Sequence, residues 1–359
     1  MTRFSRTARR AARPHAWRAA CVAAVAAAMA GGLLTGCGPG ASGPTLTLYN
    51  GQHEQTANAL VSAFEKKTGI TVKVTSNDED VLADEVVTQG AASPADIILT
   101  ENTPALEYLQ SKHLLARVDS STLAHTPGKY NSAQGGWVGV SARVSVLIYN
   151  PKVISKSQLP TSAMQLANPR YKGKLAFAAG ETDFQPIVSS VLHGYGQAAT
   201  VKWLQGMKAN AEAGGHLYPD SETIADQVNR GTAAFGLINQ YYWYRMRDQI
   251  GASSVHSQIA YFAPHDPGYV IDVSPAAILK SSKNQAAAQK FLAFLVSKAG
   301  QQIIANPHES MSFEYPIASR VTTMTPETPF GQLKPHPISL SELGDGATAI
   351  SLLRQAGLL

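Results

Sequence analysis

Cysteine is nearly missing from this chain of 359 residues: there are two, Cys21 and Cys37, and none after position 37. The body of the chain therefore has no disulfide, no thiolate metal site and no cysteine nucleophile. Acidic residues are missing from positions 1–36, where six of the 30 Lys and Arg residues fall; the remainder carries 24 basic against 25 acidic side chains, a net charge of −1. The basic character of the whole sequence thus belongs to its first segment, and no nucleic-acid partner is implied. After that segment no apolar run is long enough to span a bilayer. Also missing are an H-E-x-x-H, a G-x-S-x-G and any Asp cluster, which weighs against a secreted metal-dependent hydrolase.

What is present begins with Arg3, Arg6, Arg9, Arg10, Arg13 and Arg18, followed by an Ala- and Val-rich run from Ala19 to Ala30. A basic stretch leading into a short apolar one is a secretory signal, too short to be a stable span. It ends in Leu33-Leu34-Thr35-Gly36-Cys37, which resembles a bacterial lipobox. That resemblance implies cleavage of residues 1–36, lipidation of Cys37 and anchoring outside the cytoplasm. Residues 37–44, rich in Gly and Pro, then form a flexible tether. The 323 residues from Cys37 onward are long for one core and predict two lobes.

Thr45–Asn50 alternates as a strand, Gln55–Lys67 has helical spacing, and Ile70–Val74 is strand again. A helix over 80–89 and the strand 95–100 extend a β-α-β pattern that predicts a mostly parallel sheet flanked by helices. Trp137–Asn150 is long for a single strand and is expected to cross between lobes. A second α/β pattern follows: strand 174–178, helices 185–194, 198–209 and 221–230, then strand 232–238. Segments 259–262 and 270–273 return, a helix over 285–296 rejoins the first lobe, 322–337 is irregular, and a last helix covers 347–355. The expected lobes are 45–142 plus 274–359, and 143–273.

Three predicted strands deliver a metal-ligating side chain at their carboxyl ends: His53, Glu101 and the pair Tyr241-Tyr242. Ligands of open α/β sheets bind outside those ends, so residues scattered in sequence can converge in a cleft between lobes. Taken alone, Tyr241 and Tyr244 at helical spacing read as core packing. As ligands, two phenolates and a carboxylate balance the three charges of a ferric ion, with a neutral imidazole beside them. Hard cations favour such oxygen donors. Adjacent residues point to opposite faces of a strand but only about 100° apart on a helix, so both tyrosines can ligate if a helix starts there.

The sequence resembles the ferric-ion-binding proteins of bacterial ABC iron importers from about Leu46 to Val321. The resemblance rests on Leu48-Tyr49-Asn50-Gly51-Gln52-His53, Pro94-Ala95-Asp96, Thr100-Glu101, Ser141-Ala142-Arg143 and Leu237-Ile238-Asn239-Gln240-Tyr241-Tyr242-Trp243. It implies a two-lobed, type II periplasmic-binding-protein fold with Fe³⁺ in the cleft, ligated by His53, Glu101, Tyr241 and Tyr242. It also implies Asn102 and Asn239 beside a synergistic anion, and a cleft arginine at Arg143. The implied protein is a monomeric binding protein and no enzyme, handing iron to an ABC permease.

One segment departs from that pattern. Gly180-Glu181-Thr182-Asp183-Phe184 places two acids where phosphate-using members have a small, Ser- and Gly-rich loop. Either the anion is smaller, such as carbonate, or water fills its place, or Glu181 or Asp183 ligates iron; alternatively both only favour the N-terminus of the next helix. The competing reading of the whole site is a receptor for an organic cation such as a polyamine or thiamine, boxed by aromatic rings.

Overall fold

Alternating side chains at the start of the body build the first strand, β1 (Thr45–Asn50), with Leu46 and Leu48 fully buried. The structure, a computed structural model, describes residues 43–359; the segment 1–36, Cys37 and the tether up to residue 42 lie outside the described residues. Helix α1 (Glu54–Thr68) buries Ala57, Leu60, Val61 and Phe64 on one stripe and stops at Gly69, whose φ of 70° is the left-handed cap that glycine takes without strain. Then come β2 (Thr71–Ser76), α2 (Glu79–Gln89), β3 (Ile97–Leu99), α3 (Thr103–Ser111) and α4 (Ser120–Leu123).

Strand β4 (Trp137–Tyr149) is buried along its whole length and links two sheets. Its first half pairs antiparallel with the returning strand β8 (Ile271–Ile278), and its second half with β6 (Phe235–Asn239) and β7 (Gln258–Ala260). Between these lie β5 (Leu175–Ala176), α5 (Gln185–Tyr195), α6 (Gln197–Glu212), α7 (Ser221–Arg230) and α8 (Gln240–Ile250). The chain ends with α9 (Gln285–Leu295), α10 (Lys298–Ala305), α11 (Pro307–Ser310), β9 (Tyr315–Pro316), α12 (Leu340–Leu343) and α13 (Ala347–Gln355). The sheet order is β2-β1-β3-β8-β4-β6-β5, with β7 and β9 also on β4. Pairs β1–β2, β1–β3 and β5–β6 are parallel; the antiparallel contacts come from the crossing strands β4 and β8.

Each half has its own apolar support. Phe64, Ile97, Val138, Phe291 and Ile304 cluster under α1, α9 and α10, while Phe177, Trp203, Phe235 and Leu353 belong to a larger core that extends to Leu82 and Leu106. As expected, 285–295 packs with the first sheet, on β8. The final helix has the predicted bounds, and it lies on α5 and α6 while α12 touches α3 and α5. The segment 322–337 contains only one short turn of 3₁₀ helix, Phe330–Gln332. No described helix is long and apolar enough to cross a membrane.

Candidate metal centre

The strand ends meet. His53 closes β1 as the N-cap position of α1, Glu101 follows β3, and the two tyrosines open α8 directly after β6. Asn239 has extended backbone (φ −85°, ψ 150°) and Gln240 is already helical, so the turn at this junction puts both rings on one side. The rings lie 4.1 Å apart, and His53 meets them edge-on at 5.3 and 6.3 Å.

Polar atoms form a continuous chain. His53 Nε2 is 2.9 Å from Glu101 Oε1. Tyr241 Oη is 2.5 Å from the same oxygen and 3.1 Å from Asp183 Oδ2. Tyr242 Oη is 2.9 Å from Asp183 Oδ2 and 3.4 Å from Glu181 Oε1. Among the described residues no three His, Cys, Asp or Glu side chains converge as a metal group by themselves. The phenols complete the set.

Asp183 and Glu181 do not act as caps of the helix that follows them. Asp183 is held from behind by Asn102 Nδ2, which donates to Oδ1 at 2.9 Å. Glu181 accepts the Ser221 backbone N–H at 3.0 Å and the Ser221 hydroxyl, and so caps α7 from a distance. Asn102 also donates to Glu79 Oε1 at 3.1 Å and accepts from Arg143 at 3.0 Å, so one amide ties both sides of the cleft together. Arg143 is 1 % exposed; its Nη2 lies 2.5 Å from Glu314 Oε1 and 3.9 Å from Glu101 Oε1. Asn239 is buried at the start of α8 and makes no side-chain capping bond.

Two supports carried no sequence signal. Glu79 is 3 % exposed and accepts the backbone N–H groups of Glu101 at 2.7 Å and Asn102 at 2.9 Å, which fixes the turn presenting Glu101. Gly51 makes room for it: a Cβ there would stand 2.6 Å from Glu79 Cβ. Glu314 joins Arg143, Ser141 and Gln52 in a buried network, and Gln52 Oε1 accepts the His53 N–H at 2.7 Å. In sequence Glu79 stands just before the expected helix 80–89, and Glu314 falls in an unassigned stretch.

The charge balance is uneven. Burial raises the Glu101 carboxyl, but His53 and the Arg143 guanidinium outweigh it and hold it below the usual carboxylate range. Burial, then the charge of Asp183, pushes Glu181 up to about 9. Burial, followed by Asp183 and Glu101, lifts both phenols well above their ordinary value, so they stay protonated without a cation. Arg143 and Arg245 place their guanidinium carbons 5.6 and 5.2 Å from the Tyr241 ring centre. Tyr244 faces away into packing against Trp243.

A cavity of about 700 Å³ opens from the site and is lined by His53, Glu54, Asp78, Asp80, Glu101, Glu181, Asp220, Glu222 and Tyr242, with no Lys or Arg.

The profile of the bacterial extracellular solute-binding protein family matches residues 50–302. The chain is 35% identical over 314 residues to the Fe(3+)-binding periplasmic protein of Serratia marcescens, covering 88% of this chain and 90% of that one. It superposes on iron-bound HitA from Pseudomonas aeruginosa with a TM-score of 0.82 and 38% identity, covering 88% of this chain and all of the other. The Trichodesmium protein IdiA (FutA), solved with iron and citrate ligands, gives a TM-score of 0.73 at 27% identity, covering 88% and 100%. The chain belongs to the bacterial extracellular solute-binding proteins of the type II periplasmic fold, among the ferric-iron-binding periplasmic proteins.

Proposed function

We propose that the protein captures ferric iron in its cleft, through His53, Glu101, Tyr241 and Tyr242, and delivers it to an ABC importer in the membrane. The observation that supports this most is the spacing of those donors. A small hard cation held octahedrally at about 2.0–2.1 Å places neighbouring donors about 2.8–3.0 Å apart. His53 Nε2, Glu101 Oε1 and Tyr241 Oη, with separations of 2.9 and 2.5 Å, sit close to such edges. Protons hold in place the donors that the ion then bridges.

Two lobes follow from the strand crossing, 45–142 plus 274–359 and 143–273, with α13 reaching over onto the second. His53 and Glu101 come from one and the tyrosines from the other, so the ion favours the closed state by binding both. The organic-cation reading loses support because guanidinium groups already occupy the neighbourhood of the Tyr241 ring and Tyr242 stacks against it. Four ligands leave two octahedral positions for small oxygen donors, such as carbonate or water.

Metal analysis after equilibration with Fe³⁺, Fe²⁺, Mn²⁺ and Zn²⁺ tests this function. One tightly held ferric ion per chain is expected; preference for a divalent ion contradicts it. Anchoring through Cys37 after loss of residues 1–36 predicts a diacylglyceryl-modified N-terminus in the intact mass of membrane-fraction protein. An unmodified Cys37, or a retained 1–36, contradicts the anchor.

A further inference from the structure

The parallel strands β1, β2 and β3 have ends of opposite charge. The candidate metal centre and its acidic mouth lie past their carboxyl ends. At their amino ends stand five exposed lysines from three elements. Lys66 and Lys67 occupy the last turn of α1, Lys112 is the C-cap of α3, and Lys280 and Lys283 follow β8. Helices α1 and α3 both start at the cleft and run back to this edge, and β8 arrives there because it is antiparallel to β3, with Ile278 opposite Ile97. The Lys280 N–H donates to the Leu114 carbonyl at 2.8 Å, which joins the end of β8 to the segment after α3. Asn284, next to Lys283, donates to the carbonyl of Thr45, the first residue of β1, at 3.2 Å. The acids of the same edge are turned inward. Glu65 Oε1 accepts the Val72 N–H at 2.7 Å; Asp96, 5 % exposed, accepts the Thr47 N–H at 2.9 Å and the Ser282 hydroxyl at 2.5 Å.

The described chain also begins at this edge. A Cβ on Gly43 would lie 3.5 Å from the Gly69 carbonyl oxygen, at the end of α1 that carries Lys66 and Lys67. Residues 37–42 join Gly43 to the proposed lipid, and six residues span at most about 20 Å. We propose, building on the anchor at Cys37 described above, that this lysine edge is a docking surface for anionic lipid headgroups and sets the resting orientation of the anchored protein. An anchor that holds the edge so close makes docking an intramolecular event at high effective concentration. Each lysine near an anionic leaflet strengthens adsorption by about fivefold, and the gain falls off within a Debye length. The mouth at the other end, lined by Glu54, Asp78, Asp80, Glu181, Asp220 and Glu222 without one Lys or Arg, is repelled by the same headgroups and points to solution. The docked state is therefore the capturing one, and release from the headgroups precedes delivery.

The test uses protein purified from the membrane fraction with its N-terminal lipid, inserted into vesicles of phosphatidylcholine alone or mixed equally with phosphatidylglycerol. Brief acetylation followed by peptide mass spectrometry reads each lysine. On the mixed vesicles Lys66, Lys67, Lys112, Lys280 and Lys283 should label at least about fivefold more slowly than on phosphatidylcholine, and about 0.5 M NaCl should remove the difference. Lys152, Lys202 and Lys334, exposed elsewhere, should label equally on both. With Lys66→Gln, Lys67→Gln, Lys280→Gln and Lys283→Gln combined, Lys112 should lose its protection while ferric binding stays at the wild-type level. Equal labelling on the two vesicles, by a protein that both retain, overturns the docking surface and leaves the anchor intact. Protection that appears only when native membrane proteins are present, and not on lipid alone, assigns the edge to a protein partner and likewise overturns it. A protein that lacks the diacylglyceryl mass and is retained by neither vesicle overturns the anchor and the docking surface together. Because the wild-type arms stand alone, a variant that fails to fold does not protect the idea.

Discussion

Proton release on iron uptake follows directly from the two buried phenols. Both are held well above their ordinary value, first by burial and then by the charge of Asp183 and Glu101, so each carries its proton in the metal-free protein. A ferric ion that takes both as phenolates must displace two protons. The sign is fixed: a group that loses a proton on binding makes affinity rise with pH. Each proton contributes about 1.36 kcal/mol per pH unit, so the pair contributes about 2.7 kcal/mol, a roughly 100-fold gain in affinity per unit. Calorimetry in two buffers of different ionisation enthalpy counts the protons, corrected for those taken up by the competing chelator. The double variant Tyr241→Phe, Tyr242→Phe supplies the background from all other groups, and its difference from wild type isolates the phenols. Tyr241→Phe alone should cut the slope to about tenfold per unit. A wild-type difference of about one proton or fewer would refute the reasoning, because at least one tyrosine would then not ligate as phenolate.

Two further changes probe the scaffold. Glu79→Ala removes the acceptor of the Glu101 and Asn102 backbone N–H groups, so it should destabilise the fold by about 1–3 kcal/mol and weaken iron binding by about 10–100-fold; urea unfolding and citrate competition read the two effects separately. Arg143→Met leaves Glu314 buried without its 2.5 Å partner and should cost about 3–5 kcal/mol in urea unfolding. Restoration by the second change Glu314→Gln would identify the unpaired charge as the cause.

Much of this architecture is legible in the chain. The opening β-α-β unit, the crossing strand 137–149 and the helix 347–355 follow from period and length. The convergence of His53, Glu101 and Tyr241-Tyr242 follows from their places at strand ends. What could not be read is the long-range support. Gln52 and Glu314 are 262 residues apart in sequence, and nothing local marks their contact. Glu79 sits in the acidic run Asp78-Glu79-Asp80, where a first-turn acid is what the helix dipole favours anyway, so its burial leaves no separate signature. The same masking applied to Glu181 and Asp183, which read equally as helix-start acids until the fold set one against Ser221 and the other against both phenols. Helix α3 leaves little signal because its buried stripe, Ala105, Leu106 and Leu109, spans barely more than one turn.

The central claim is that two adjacent tyrosinates hold a ferric ion across the cleft, and the visible spectrum of the iron-loaded protein tests it most directly. The account predicts a tyrosinate-to-iron charge-transfer band that reaches full intensity at one ferric ion per chain. Tyr241→Phe and Tyr242→Phe should each shift and weaken it, and the double variant should abolish it. A colourless iron complex, or a band that survives both substitutions, would contradict the account.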